Sequence, residues 1–177
     1  MLDSVDYAAN AGVVPAIGAI GDKDVFFQAH VIMAQAMLAE GIDMLNLVSV
    51  GTGHVIDPVT HRDQLRRIGI HTDAGLDRFP RQLRFVTWTL KYNRCHWLEI
   101  LGLGEAYTRA EFNGRIGPDQ SVLIDAPRNI TRFVLHPPAL SAVTPRIVID
   151  GVSIGFPRTH PGQNPRPLSF ALRGGRW

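Results

Sequence analysis

Two apolar runs enclose a segment with every mark of a helix, and this triplet constrains the fold more than any other part of the chain. Val13 to Ile20 is apolar almost without a break and stops at Gly21, the pattern of a strand covered on both faces in a parallel sheet. Val25 to Glu40 contains neither Gly nor Pro and repeats apolar residues at Phe27, Val31, Ala34 and Leu38, which is helical spacing. Asp22 or Asp24 can cap its start and Gly41 can end it. Val25, Phe26, Ile32 and Met33 lie off the main stripe, so the helix is expected to have protein on more than one side. Met44 to Val50 supplies a second strand, followed by Gly51-Thr52-Gly53-His54.

A crossover of this length makes the two strands parallel. Parallel α/β sheets gather their chemistry beyond the carboxyl ends of the strands. Asp24 after the first strand and His54 after the second are therefore expected at one edge. A carboxylate in that position holds one ring nitrogen of an imidazole as its N–H, leaving the other to take a proton from a hydroxyl nucleophile. Taken singly, the aspartates read as cap residues and His54 as a loop residue. Their conjunction at matching strand ends points to general-base chemistry.

A strand followed by Gly21-Asp22-Lys23-Asp24, a helix, and a strand followed by Gly51-Thr52-Gly53-His54 resembles the C-terminal end of an α/β-hydrolase. The likeness is nearest to the prolyl-oligopeptidase-type serine peptidases and related esterases, and covers about residues 8 to 75. It implies that Asp24 is the acid of a catalytic triad, with Asp22 as second choice, and that His54 is the base. Arg84 to Trp97 looks like the start of a β-domain appended to some bacterial members. The expected architecture is thus α/β plus β: residues 1–78 as the C-terminal strand-helix-strand-helix piece of a parallel hydrolase sheet, and residues 79–177 as an antiparallel β-sandwich-like domain.

That family runs in the order serine, acid, histidine, with the serine on a strand-to-helix elbow. Only Ser4 precedes Asp24 here, in Leu2-Asp3-Ser4-Val5-Asp6, which has no flanking glycines and no preceding strand. The expectation is a fragment of a serine hydrolase, inactive alone, whose nucleophile lies in an upstream segment. Gly151-Val152-Ser153-Ile154-Gly155 matches the elbow pattern in letters alone. Asp150-Gly151 reads as a hairpin turn between Arg146–Ile149 and the returning Val152–Ile154, with prolines where an elbow needs a helix. Cys95-His96 reads as structural, since neighbours on a strand face opposite ways.

At 177 residues with 45% apolar composition the chain can bury a core. Its net charge is +2 and its arginines are scattered, so nucleic acid is not an expected partner. No apolar run approaches a membrane span and no signal-peptide layout opens the sequence. The cellular address stays unknown; a periplasmic or secreted location would need a signal upstream. Cys95 is the single cysteine, and an internal disulfide is excluded. No cofactor or metal is expected. The expected partners are a peptide or ester substrate, with homo-oligomerisation open because two parallel strands leave open edges.

In the second half, Thr60 is the expected cap of a short helix through Ile68, followed by a linker from Ile70 to Pro80. Residues 82–92, 95–103, 105–116, 121–125, 130–136 and 145–155 are short β-type segments between turn residues. Trp88, Tyr92, Trp97, Tyr107, Phe112 and Phe133 are expected as core and covering aromatics. Asn129-Ile130-Thr131 fits a glycosylation sequon. Phe156 to Pro167 reads as an extended proline-rich loop, and Leu168 to Leu172 as a strand without an evident partner. The alternative to a hydrolase fragment is a non-catalytic module that binds peptide or glycan through residues 82–155.

Overall fold

The protein is described by a computed structural model covering residues 3–136, 146–155 and 167–177. The proline-rich reading of Phe156 to Pro167 lies outside the described residues except for Pro167. The chain is mixed α/β and forms two compact units, Met1–Asp77 and Arg78–Trp177.

In the first unit a 3-10 segment, Ser4–Val13, precedes β1 (Ile17–Gly21), α1 (Phe27–Ala39), β2 (Leu45–Ser49) and α2 (Pro58–Ala74). The strand expected from Val13 thus begins at Ile17. Asp3 initiates the preceding turns instead, its carboxylate accepting the Ser4 N–H while Asp6 accepts the Asp3 N–H. β1 and β2 pair in parallel, from Ile17 opposite Leu45 to Gly21 opposite Ser49. Gly41, at φ +76°, ends α1 in the left-handed conformation open to glycine.

Neither aspartate caps α1 directly. Phe26 is the N-cap residue and carries no side-chain cap bond. Within the unit α1 buries only Met37, against Ala8 and Met44, while Ile32 and Leu38 are exposed. The expected protein on its second side is not supplied by the described residues. α2 begins two residues earlier than Thr60 and runs six beyond Ile68. Asp57 accepts the Val59 and Thr60 N–H groups, and Pro58 occupies the first turn, where its missing N–H costs nothing.

The second unit contains two sheets. β3 (Gln82–Thr87), β6 (Ala110–Ile116), β7 (Val122–Arg128), β9 (Ile147–Ile149) and β10 (Val152–Ile154) form one in the order β10-β9-β7-β6-β3. β4 (Arg94–Cys95), β5 (Leu98–Leu103), β8 (Ile130–Leu135) and β11 (Leu168–Ala171) form the other, in the order β11-β8-β5-β4. Two expectations are corrected. β9 runs parallel to β7, so the first sheet is mixed rather than antiparallel: β9 pairs with a strand two places earlier in the chain and not with its predecessor β8. The strand from Leu168 does have a partner, β8, with Phe170 opposite Phe133.

The apolar faces of the two sheets meet through aromatic rings. Phe112 of β6 stands edge-on to Phe133 of β8 at 5.4 Å and to Trp97 at 5.9 Å, and Phe170 stacks on Phe133 at 4.9 Å. Trp97, Phe112 and Phe133 are fully buried, and the Trp97 indole N–H donates to the Pro80 carbonyl at 2.9 Å. Gly114 leaves the space that Trp97 fills, since a Cβ there would lie 2.6 Å from the indole.

Tyr92 and Tyr107 are exposed rather than covering. Residues 105–109 form a turn and not a strand, because Asn129 ties them down. At φ +52°, its Nδ2 donates to the Glu105 and Thr108 carbonyls, both at 2.9 Å, and its Oδ1 accepts the Glu105 N–H at 2.8 Å.

Phe133 touches Phe112, Phe170 and Trp177, so Phe133→Ala removes one of the ring contacts that join the sheets. A loss of about 3–5 kcal/mol is expected for such a truncation, read as a shifted urea midpoint followed by tryptophan fluorescence. A loss below about 1 kcal/mol would mean that the ring is not packed as described.

Candidate active site

The parallel register brings Gly21 and Ser49, the last residues of β1 and β2, level with each other. Asp24 and His54 follow at that one edge. The chain after β1 turns at once: the Asp24 N–H donates to the Gly21 carbonyl at 3.1 Å and the Phe27 N–H to the Asp24 carbonyl at 3.0 Å. This folds the Asp24 side chain back, where Oδ1 accepts the Phe26 N–H at 2.8 Å. Oδ2 is left facing His54 Nδ1, also at 2.8 Å.

The two partners have opposite environments. The Asp24 side chain is 6% exposed and that of His54 is 81% exposed. The Phe26 N–H holds the Asp24 carboxyl below the usual carboxylate range, against the opposing effect of desolvation, and His54 adds to the lowering. An ionised carboxylate accepts only, so it assigns the proton of the neutral ring to Nδ1. Nε2 is then the basic nitrogen, and it has no hydrogen-bond partner among the described residues. The Phe26 ring stands edge-on to the imidazole at 5.8 Å and 66°.

Asp22, the second choice for the acid, is placed elsewhere. Its Oδ1 accepts the Gly51 N–H at 2.7 Å, so it braces the loop after β2 and makes no bond to His54. The Lys23 N–H adds a second tie to the Thr52 carbonyl at 2.9 Å. The loop backbone comes so close that Gly21 has no room for a side chain: a Cβ would sit 2.2 Å from the Gly53 oxygen.

The far end of the loop is closed by residues that the sequence reading left out. The Ser49 hydroxyl, with the residue fully buried, donates to Asp57 Oδ2 at 2.6 Å and accepts the Asp57 N–H at 2.8 Å. The Thr60 hydroxyl donates to the same oxygen at 2.6 Å. The Ser49 hydroxyl, then Thr60, hold the Asp57 carboxyl far below its ordinary range. Asp57-Pro58 is itself a recognisable helix-start pair and was the available signal.

The other sequence candidates are not brought to an imidazole. The Ser4 hydroxyl donates to Asp3, and Ser49 is engaged with Asp57. Ser153 lies on β10 opposite Val148, after a turn in which Asp150 and Gly151 both have positive φ, the favoured hairpin geometry. Cys95 ends β4, and His96 follows in a left-handed turn at φ +48°, so the pair does not alternate along a strand as expected. Burial pushes the Cys95 thiol up to about 11, the reverse of what a nucleophilic thiolate needs. Among the described residues no group of three His, Cys, Asp or Glu side chains could hold a metal ion, and no helix is long and apolar enough to cross a membrane.

The lowered Asp24 and Asp57 values set a pH dependence. The unfolded carboxylates, at about 3.9, take up protons first as pH falls. Their stabilisation of this unit is complete above that value and is lost as pH drops through the lower folded values. Thermal unfolding should therefore shift steeply downward in acid, and Asp57→Asn should flatten that dependence; an unchanged slope would contradict the assigned contacts. The Gly21→Ala variant should fold but displace the loop, and an intact His54 Nδ1–H resonance in its proton NMR spectrum would count against the packing described. Comparisons with protein-family models, with curated proteins and with solved structures return no match for the chain.

Proposed function

We propose that the first unit supplies the acid and base of a serine hydrolase that cleaves peptide or ester bonds, and that β1-α1-β2-α2 is the C-terminal piece of an α/β-hydrolase sheet. The observation that carries this reading is the 2.8 Å bond between Asp24 and His54 Nδ1 at the level carboxyl ends of two parallel strands, with Nε2 unengaged. On this reading the serine comes from a segment outside the chain.

The chemistry follows from the dyad. Nε2 takes the proton of the serine hydroxyl as its oxygen attacks the scissile carbonyl. The Asp24 carboxylate stabilises the imidazolium that forms, without itself being protonated. The same nitrogen then gives its proton to the leaving amine or alcohol, and a water molecule repeats the cycle against the acyl-enzyme. The donors for the oxyanion would come with the serine segment.

A second reading, in which the Arg78–Trp177 unit binds peptide or glycan, has one observation in its favour. Tyr107 is held at φ +62°, strained for a bulky side chain, and is 76% exposed. With Trp88, Leu90, Leu103 and Ala106 it lines a cleft of 320 Å³. On a peptide or glycan array, binding by the whole chain that is lost in Tyr107→Ala and kept in His54→Ala would favour this alternative.

The hydrolase reading is tested on the product of the native transcript, including any coding sequence upstream of Met1. A product with a Gly-x-Ser-x-Gly elbow between a strand and a helix should hydrolyse chromogenic peptides or esters. His54→Ala should abolish turnover, and Asp24→Asn should lower kcat by roughly 10⁴-fold through the wrong ring tautomer. Turnover indifferent to His54 would overturn the proposal.

A further inference from the structure

The His54 loop is built from residues that ought to let it wander. It contains Gly51 and Gly53, and Gly51 adopts φ +77°, so the backbone from Val50 to Ile56 has little intrinsic stiffness. The imidazole is largely exposed and touches protein through Asp24 and the edge of Phe26. Such a ring stays in line only if the loop ends are fixed, since rotamer and backbone freedom otherwise disperse it.

The near end is fixed from the β1 side by Asp22 and Lys23. The far end has a different device. Ser49 and Asp57, eight residues apart, exchange two hydrogen bonds, hydroxyl to carboxylate and N–H to hydroxyl. This joins the last residue of β2 to the residue that starts α2, and so pins both ends of the seven-residue segment between them. Asp57 Oδ1 meanwhile accepts the first N–H groups of α2. The start of α2 and the reach of the His54 loop are thus set by one carboxylate.

From this geometry we infer that the Ser49–Asp57 pair is a positioning clamp for the catalytic imidazole, acting through the loop and not by contact with substrate. The inference rests on the hydrolase reading and adds to it two residues that do no chemistry. Thr60 provides an internal control. Its hydroxyl bonds the same Asp57 oxygen at 2.6 Å but lies inside α2, so its removal weakens the cluster without opening the loop.

The test compares Ser49→Ala with Thr60→Ala in the whole chain by proton NMR of the His54 Nδ1–H and by the rate of His54 carbethoxylation. Ser49→Ala is expected to broaden or erase the Nδ1–H resonance and change the reaction rate; Thr60→Ala should leave both as in the unmodified chain. If Ser49→Ala does not fold, Asp57→Asn keeps an acceptor for the α2 N–H groups while replacing the oxygen that meets Ser49, and should give the same signature. In the hydrolytic full-length product either variant should lower kcat by on the order of 10²-fold with KM little changed. A His54 signal that is identical in Ser49→Ala and the unmodified chain would overturn the clamp and leave the hydrolase reading standing. Activity independent of His54, with the clamp signature intact, would overturn the hydrolase reading and reduce the pair to a structural tie of the loop.

Discussion

The level pairing of Gly21 with Ser49 is the constraint on which the candidate site depends. Both strands stop at the same height, so two short loops rise from one edge with their first residues a strand spacing apart. Everything after that is local. Asp24 is turned back by its own Phe26 N–H, and the His54 loop is lowered onto Gly21 because nothing projects from that residue. Shifting the register by one residue would exchange the faces of the strand and separate the partners, although no atom of either catalytic candidate had changed.

Much of this geometry is readable from the chain, because it depends on where apolar runs stop. A Gly/Pro-free segment between two such runs sets the crossover, the crossover sets parallel pairing, and parallel pairing puts Asp24 and His54 on one side. What escapes reading is which of several polar residues takes which job. Asp22 and Asp24 differ by two positions in a turn, and only the folded turn shows that one meets the Gly51 amide and the other the imidazole. Ser49 reads as part of the second strand, and the helix start is expected at Thr60, with Asp57 passed over. That Ser49 and Asp57 hold each other depends on a distance that spacing alone does not give.

The second unit is legible in its pieces and less so in their partners. Alternating burial along β6 follows from the letters, as does the Asp150-Gly151 hairpin. The parallel contact of β9 with β7 and the pairing of β11 with β8 join segments distant in sequence, where local propensity carries no information about the neighbour. The loop at Tyr107 is a similar case. Its composition suits a strand, but three hydrogen bonds from a single remote asparagine hold it in a turn.

That asparagine carries a consequence of its own. Asn129 Nδ2 is the atom to which a sugar would be attached in the Asn129-Ile130-Thr131 sequon, and both of its hydrogens are already given to the Glu105 and Thr108 carbonyls. A sugar there would replace one of those hydrogens and so break one of the two donated bonds, loosening the turn that carries Tyr107 without removing the Oδ1 bond to the Glu105 N–H.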